Sequence, residues 1–138
     1  MLTRKVRYGV RALTVLASRQ TETIPLRELA EQFHIPRKYL EVIMVELRNA
    51  GLVHSTRGKG GGYQLSKTAT QITLAEIVQV LDPELLSRGV DGAEHHIAPE
   101  GPVWQEMESH LRGYLDDTTL SRIALLWSSR HEPLVYSI

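Results

Sequence analysis

The residues best equipped to do chemistry are cations, and they fall in two short stretches. Arg57-Gly58-Lys59-Gly60-Gly61-Gly62 sets two positive charges among four glycines. Glycine lets a backbone approach a phosphate chain closely and takes positive φ at little cost. Arg57 and Lys59 supply charge, and arginine entering a narrow minor groove is a recurrent device; the competing reading is a flexible loop kept soluble by its charges. The second stretch, Arg37-Lys38-Tyr39-Leu40-Glu41, follows Pro36. Arg37 and Lys38 can donate to guanine or phosphate, Tyr39 can offer its hydroxyl to phosphate, and Glu41 can accept from a cytosine amino group. Glu41 could instead pair with Arg37 or Lys38, and Tyr39 could pack on the first helix. A phosphate-binding P-loop does not fit, because no GxxxxGK[ST] pattern opens a helix. No nucleophile–base pair or acid–base pair of carboxylates sits on a pocket-forming element, so an enzyme is not expected.

The elements around these stretches explain how they would be held. Leu26, Leu29, Ala30 and Phe33 recur at helical spacing until His34-Ile35-Pro36 interrupts them. A second helix starts at Pro36 with Leu40, Ile43, Met44 and Leu47 on one face. Asn49-Ala50-Gly51 ends it, with Gly51 suited to the left-handed position past a C-terminus. Leu52-Val53 and Tyr63-Gln64-Leu65 then read as two short strands around the glycine-rich tip. Short helix, turn, longer helix and hairpin predict a winged helix-turn-helix, whose second helix lies in the major groove of a DNA duplex. Burying the Leu40 stripe leaves Arg37, Lys38, Glu41, Val42 and Val45 on or near the outer face, with Glu46 and Arg48 expected toward solvent.

The flanking segments support this unit. Residues 3–19 predict a first helix with Val6, Val10, Leu13 and Ala17 on its inner face. Arg4, Lys5, Arg7 and Arg11 crowd its first turns against the helix dipole, which marks Arg4 and Lys5 as phosphate contacts. Thr73 and Glu76 form a capping box for an apolar helix that ends at Asp82-Pro83. Residues 83–102 read as a loop rich in Gly, Pro and acids. It carries Asp91, Glu94, His95, His96 and Glu100, so His95 and His96 are candidate metal ligands against the reading of a solvated loop. From Val103 a long helix is expected, with Trp104, Met107, Leu111, Tyr114, Leu115 and Thr118 in a narrow seam suited to the same helix of a second copy. Gly113 within it would then mark a close backbone approach. Thr118 or Thr119 starts a last short helix with Leu120, Ile123, Ala124 and Trp127. The expected class is mainly α with a small β-hairpin. Residues 1–82 would form the DNA-binding domain, 83–102 a loop and effector region, and 103–138 the dimerisation helix and a C-terminal helix.

Charge sharpens the division. The 138 residues are neutral overall, yet residues 1–67 carry 12 Lys+Arg against 5 Asp+Glu, a net of +7, and residues 68–138 carry 4 against 11, a net of −7. A basic half suits a polyanion, because each phosphate contact releases condensed counterions. The chain has no cysteine, which excludes disulfides, thiol redox chemistry and cysteine-ligated metal. No apolar run approaches the roughly 20 residues of a membrane span, and the N-terminus lacks the apolar core of a signal peptide, so a cytoplasmic protein without a membrane partner is expected.

Taken together, these residues resemble the Rrf2 family of bacterial winged-helix transcription regulators. The likeness covers about residues 3–126. It rests on KVRYGVRAL, on IPLRELAEQFHIPRKYLEVIMVELRNAGLV and on RGKGGGYQLS, with TLAEIVQVLD and VWQEMESHLRGYLDDTTLSRI adding to it. The resemblance implies a homodimer crossed through the long C-terminal helix, bound to double-stranded DNA at a pseudo-palindromic operator as a repressor or activator. It carries DNA contact onto Arg37, Lys38, Tyr39 and Glu41 and onto Arg57, Lys59 and Gly61. Many relatives hold an iron–sulfur cluster through three cysteines in the loop matching residues 83–102. This chain has none, so it resembles a cysteine-free branch without that cofactor. Its signal would be a small molecule, a partner protein, a metal held through His95 or His96, or nothing at all. The alternative reading is a partner-dependent or metal-sensing regulator working through the acidic half.

Overall fold

A computed structural model describes residues 2–87 and 97–131. Helix α1 (Arg4–Ser18) starts where the Thr3 hydroxyl accepts the Val6 amide. Ala12, Leu13, Val15 and Leu16 are almost wholly buried, so the apolar face is wider than the expected stripe, and Val10 is only half-buried. Gly9 is buried as well, because a Cβ there would run into the Leu81 side chain. The periodicity of apolar residues passes over this position; only the packing of a later helix on α1 reveals why it is glycine.

Helix α2 (Leu26–Phe33) ends as His34 turns left-handed at φ 54°. The Ile35 amide closes back on the Ala30 carbonyl at 2.9 Å, and Ile35 is buried. That turn aims α3 (Arg37–Asn49), which buries Leu40, Ile43, Met44 and Leu47 as the spacing predicts. Gly51 takes φ 82°, and the Leu52 amide reaches the Leu47 carbonyl at 3.0 Å, so the orphaned carbonyls of the last turn are satisfied. Strands β1 (Val53–Thr56) and β2 (Gly62–Leu65) pair antiparallel, Val53 opposite Leu65 and Thr56 opposite Gly62. Ile24 adds a two-bond bridge to Tyr63, with N–O distances of 2.8 and 2.9 Å. The hairpin is thereby fixed to the segment leading into α2. An isolated two-stranded hairpin is marginal in water, and this third edge steadies the wing.

After a 3-10 turn at Ala69–Gln71, α4 (Leu74–Leu81) begins under the Thr73 hydroxyl, which accepts the Glu76 amide at 3.1 Å. Ile77, Val78 and Leu81 enter the common core. Two sequence expectations change beyond this point. Pro83–Ser87 is helical (α5) where a loop was expected, since proline is tolerated in a first turn whose amide has no intrahelical partner. The long helix α6 (Gly101–Asp117) starts two residues before Val103. Helix α7 (Leu120–His131) packs back on α1, and Leu74–Thr118 and Leu120–Ile72 backbone bonds of 2.8 Å tie its start to α4. Of the two expected starts, Thr118 falls two residues early, while Thr119 immediately precedes the first helical residue and caps the Arg122 amide. Among the described residues no helix is long and apolar enough to cross a membrane.

Candidate nucleic-acid interface

Local rules place the residues expected to read DNA. Because α3 buries the Leu40 stripe, its first turn leaves Arg37, Lys38, Tyr39 and Glu41 exposed. Tyr39 also leans on α1: its ring meets Tyr8 edge to face at 5.7 Å, and the Arg11 guanidinium lies 5.6 Å over the Tyr8 ring. Both readings of Tyr39 therefore hold in part, with the ring braced and 40% of the residue still exposed. Glu41 makes no ion pair with Arg37 or Lys38. Val42 stands beside it 55% exposed, an apolar side chain that the protein itself does not cover.

At the wing, Gly58 and Gly60 take φ 94° and 80°, and the Gly61 amide donates to the Gly58 carbonyl at 2.9 Å. A Cβ at Gly61 would press on the Thr56 and Gly58 carbonyls, so a side chain there would open the turn. Arg57 and Lys59 project from this tip, both exposed.

Lys5 departs from its expected role. Its ammonium lies 2.9 and 2.7 Å from the two carboxylate oxygens of Glu46, joining α1 to the outer flank of α3. Glu46 is accordingly half-buried and does not face solvent as expected. Arg4 is exposed, and no ion pair involves it among the described residues. Two further cations of the basic half are compensated by carboxylates. Arg19 bonds Glu22 at 2.9 Å and Glu28 at 3.1 Å, and Lys67 meets Glu76 at 2.7 Å. Bonding to Glu22 first and to Glu28 second raises the Arg19 pKa, and the same bond lowers that of Glu22. Among the described residues, Arg37, Lys38, Arg57 and Lys59 enter no such pair. These four lie uncompensated on α3 and the wing, as Arg4, Arg7 and Arg11 do on α1.

Sequence reasoning gave Arg27 no role and placed Arg48 only toward solvent, where it stands. Both line the cleft between α3 and the wing, together with Arg37 and Arg57. A signal for one of them was available. Arg48 follows Arg37 by eleven positions, three helical turns, which puts both on the same side of α3.

The seam of α6 also needs correction. Val103, Trp104, Met107, Leu111 and Tyr114 are exposed, but Leu115 and Thr118 are buried in the chain's own core at 3% and 4% exposure. One residue step turns a helix by about 100°, enough to swing Leu115 from the open face onto α4. Gly113 has open space around it within this chain. His95, His96, Asp91 and Glu94 lie outside the described residues, and among those described no three His, Asp or Glu side chains group as metal ligands.

This architecture, a helix-turn-helix with a glycine-tipped wing, defines a class of DNA-binding proteins. Comparison with known proteins narrows it. The family model described as Rrf2, iron-dependent transcriptional regulator, matches residues 2–125. The regulator IscR of Klebsiella pneumoniae is 33% identical over 129 residues, covering 88% of this chain and 78% of that protein. A helix-turn-helix regulator of Neisseria meningitidis serogroup A is 36% identical over 127 residues, covering 88% and 86%. Among solved structures, CymR, the global cysteine regulator of B. subtilis, superposes with a TM-score of 0.81 at 29% identity, covering 91% of this chain and 97% of that one. IscR of T. potens gives 0.81 at 28% identity, covering 99% and 95%.

The chain belongs to the Rrf2 family. It is a DNA-binding transcriptional regulator and not an enzyme. The iron in the family description finds no thiolate here, because the sequence contains no cysteine, so a cysteine-held cluster does not fit this chain.

Proposed function

We propose that the chain acts as a homodimer on a pseudo-palindromic operator, in the cytoplasm, repressing transcription by occupying promoter DNA. The observation that carries this is the pairing of two incomplete surfaces: uncompensated cations on α3 and the wing, and an apolar stripe on α6 open to solvent. Arg37, Lys38, Tyr39 and Glu41 enter the major groove, and Arg57, Lys59 and Gly61 meet the backbone and the adjacent minor groove. Arg4 contacts flanking phosphate. Lys5 holds α1 against α3 through Glu46 and contributes little charge to the duplex. Val42 meets a thymine methyl, the apolar feature of the major-groove edge.

Residues 1–82 then form the binding unit and 103–138 the dimerising one, with Trp104, Met107, Leu111 and Tyr114 at the interface. The signal is a small molecule or a partner protein acting between them, and a metal at His95 or His96 is the competing reading. A gel shift on the chain's own promoter region tests the whole. Binding should weaken steeply with salt, and Arg57→Ala with Lys59→Ala should weaken it on every sequence alike. Salt-insensitive binding would count against the proposal.

A further inference from the structure

The cleft between α3 and the wing measures about 510 Å³. It is lined by Arg27, Arg37, Arg48 and Arg57, with Ser55 and Thr56, and by no acidic residue. Four arginines with no ion pair among the described residues repel one another, and nothing in the fold requires them to share one hollow. Glu28, next to Arg27, is taken up by Arg19, and Glu46, two positions before Arg48, by Lys5. These two acids are turned to other cations and no lining residue is acidic, so the cleft keeps its positive charge. Gly58, Gly60 and Gly61 form the far wall, so a chain entering the cleft would meet backbone on that side and not bulky side chains.

Duplex geometry supplies the occupant. The major and minor grooves are separated by one sugar–phosphate strand. If α3 occupies the first groove and the wing tip the second, that strand must pass between them. We infer that this cleft seats the strand dividing the two grooves, and that Arg27 on α2 and Arg48 on α3 grip its phosphates. The inference rests on the DNA-facing reading of α3 and the wing, and it gives these two residues a task that the base-reading residues do not share. Arg27 and Arg48 position the protein and carry no base preference.

The test uses the full chain and two fluorescent duplexes, one selected by the protein from a random pool and one of random sequence. Anisotropy titrations at several salt concentrations give the slope of log affinity against log salt. Both arginines are exposed, so Arg27→Ala with Arg48→Ala should keep the circular dichroism spectrum and the melting curve. The slope should become shallower by about 0.9 for each phosphate that is no longer neutralised, about 1.8 per subunit, equally on both duplexes. Arg27→Lys with Arg48→Lys should restore it, because an ammonium also serves as a point charge for phosphate. A double alanine variant with the wild-type slope, in a protein that binds the selected duplex, would overturn this inference and leave the DNA-facing reading intact. Failure of the wild type to bind either duplex would overturn both.

Discussion

The winged unit and the long helix α6 handle apolar surface in opposite ways. In residues 4–81 the large aliphatic side chains of α1, α3 and α4 are buried or half-buried apart from Val42, and the outer face is left mainly to polar and charged residues and glycine. In α6 only Gly101 and Leu115 are buried, while Val103, Trp104, Met107, Leu111 and Tyr114 stand in solvent. Exposed apolar side chains are ordinary singly, but a contiguous stripe marks a surface made to be covered. The winged unit is thus complete within one chain in all but its electrostatics, whereas α6 is incomplete in its packing. On the function proposed above, DNA relieves the first deficiency and a second copy the second.

The largest expected break in that contrast comes from charging the stripe. Trp104→Asp with Met107→Asp should give a monomer by light scattering with its helical content retained. Affinity for a two-half-site duplex should fall about 100-fold or more, because the second half-site loses its effective concentration; a variant that stays dimeric would refute the role given to α6. Next comes a pair of leucines four residues apart. Leu115→Ala removes a core side chain and should cost about 2–5 kcal/mol in denaturant unfolding, while Leu111→Ala should leave chain stability nearly unchanged and weaken self-association. Equal effects would erase the distinction between the buried leucine and the exposed one a turn before it.

A smaller effect sharpens the DNA side. Replacing thymine by uracil in a selected duplex removes only a methyl group. If Val42 covers it, affinity should drop about fourfold, from the ~0.8 kcal/mol of one buried methyl, and Val42→Ala should be indifferent to the change. The smallest effect is a pH dependence. The folded state lowers the Glu22 pKa through its bond with Arg19. Its stabilisation is therefore fully present above the ordinary glutamate value and fades as pH falls through the lowered one. Melting curves of Glu22→Gln should lie slightly below wild type at neutral pH and converge with it in acid, an exposed pair of this kind contributing little.

Much of the site was legible because it depends on local rules. The Leu40–Leu47 stripe, the left-handed Gly51, the glycines of the wing and the Thr73 cap follow from helical period, φ preference and side-chain capping, all within a few residues. The misses share a different cause. Lys5 and Glu46 are 41 positions apart, and no local pattern says that they meet. Leu115 matched the seam by spacing, yet the angle at which α6 crosses α4 decided which side of the helix was already covered. Proline near residue 83 suggested a loop, although a first helical turn accepts it.

Residue types alone therefore established every helix but α5, the hairpin, the basic half, the absence of thiolate ligands and the class of partner, since those follow from composition, period and turn chemistry. Which cations remain unpaired, which arginines share a cleft and which leucine belongs to the chain's own core were decided by tertiary structure. Charge compensation and burial depend on distances between segments remote in sequence, and only the packed fold sets those distances.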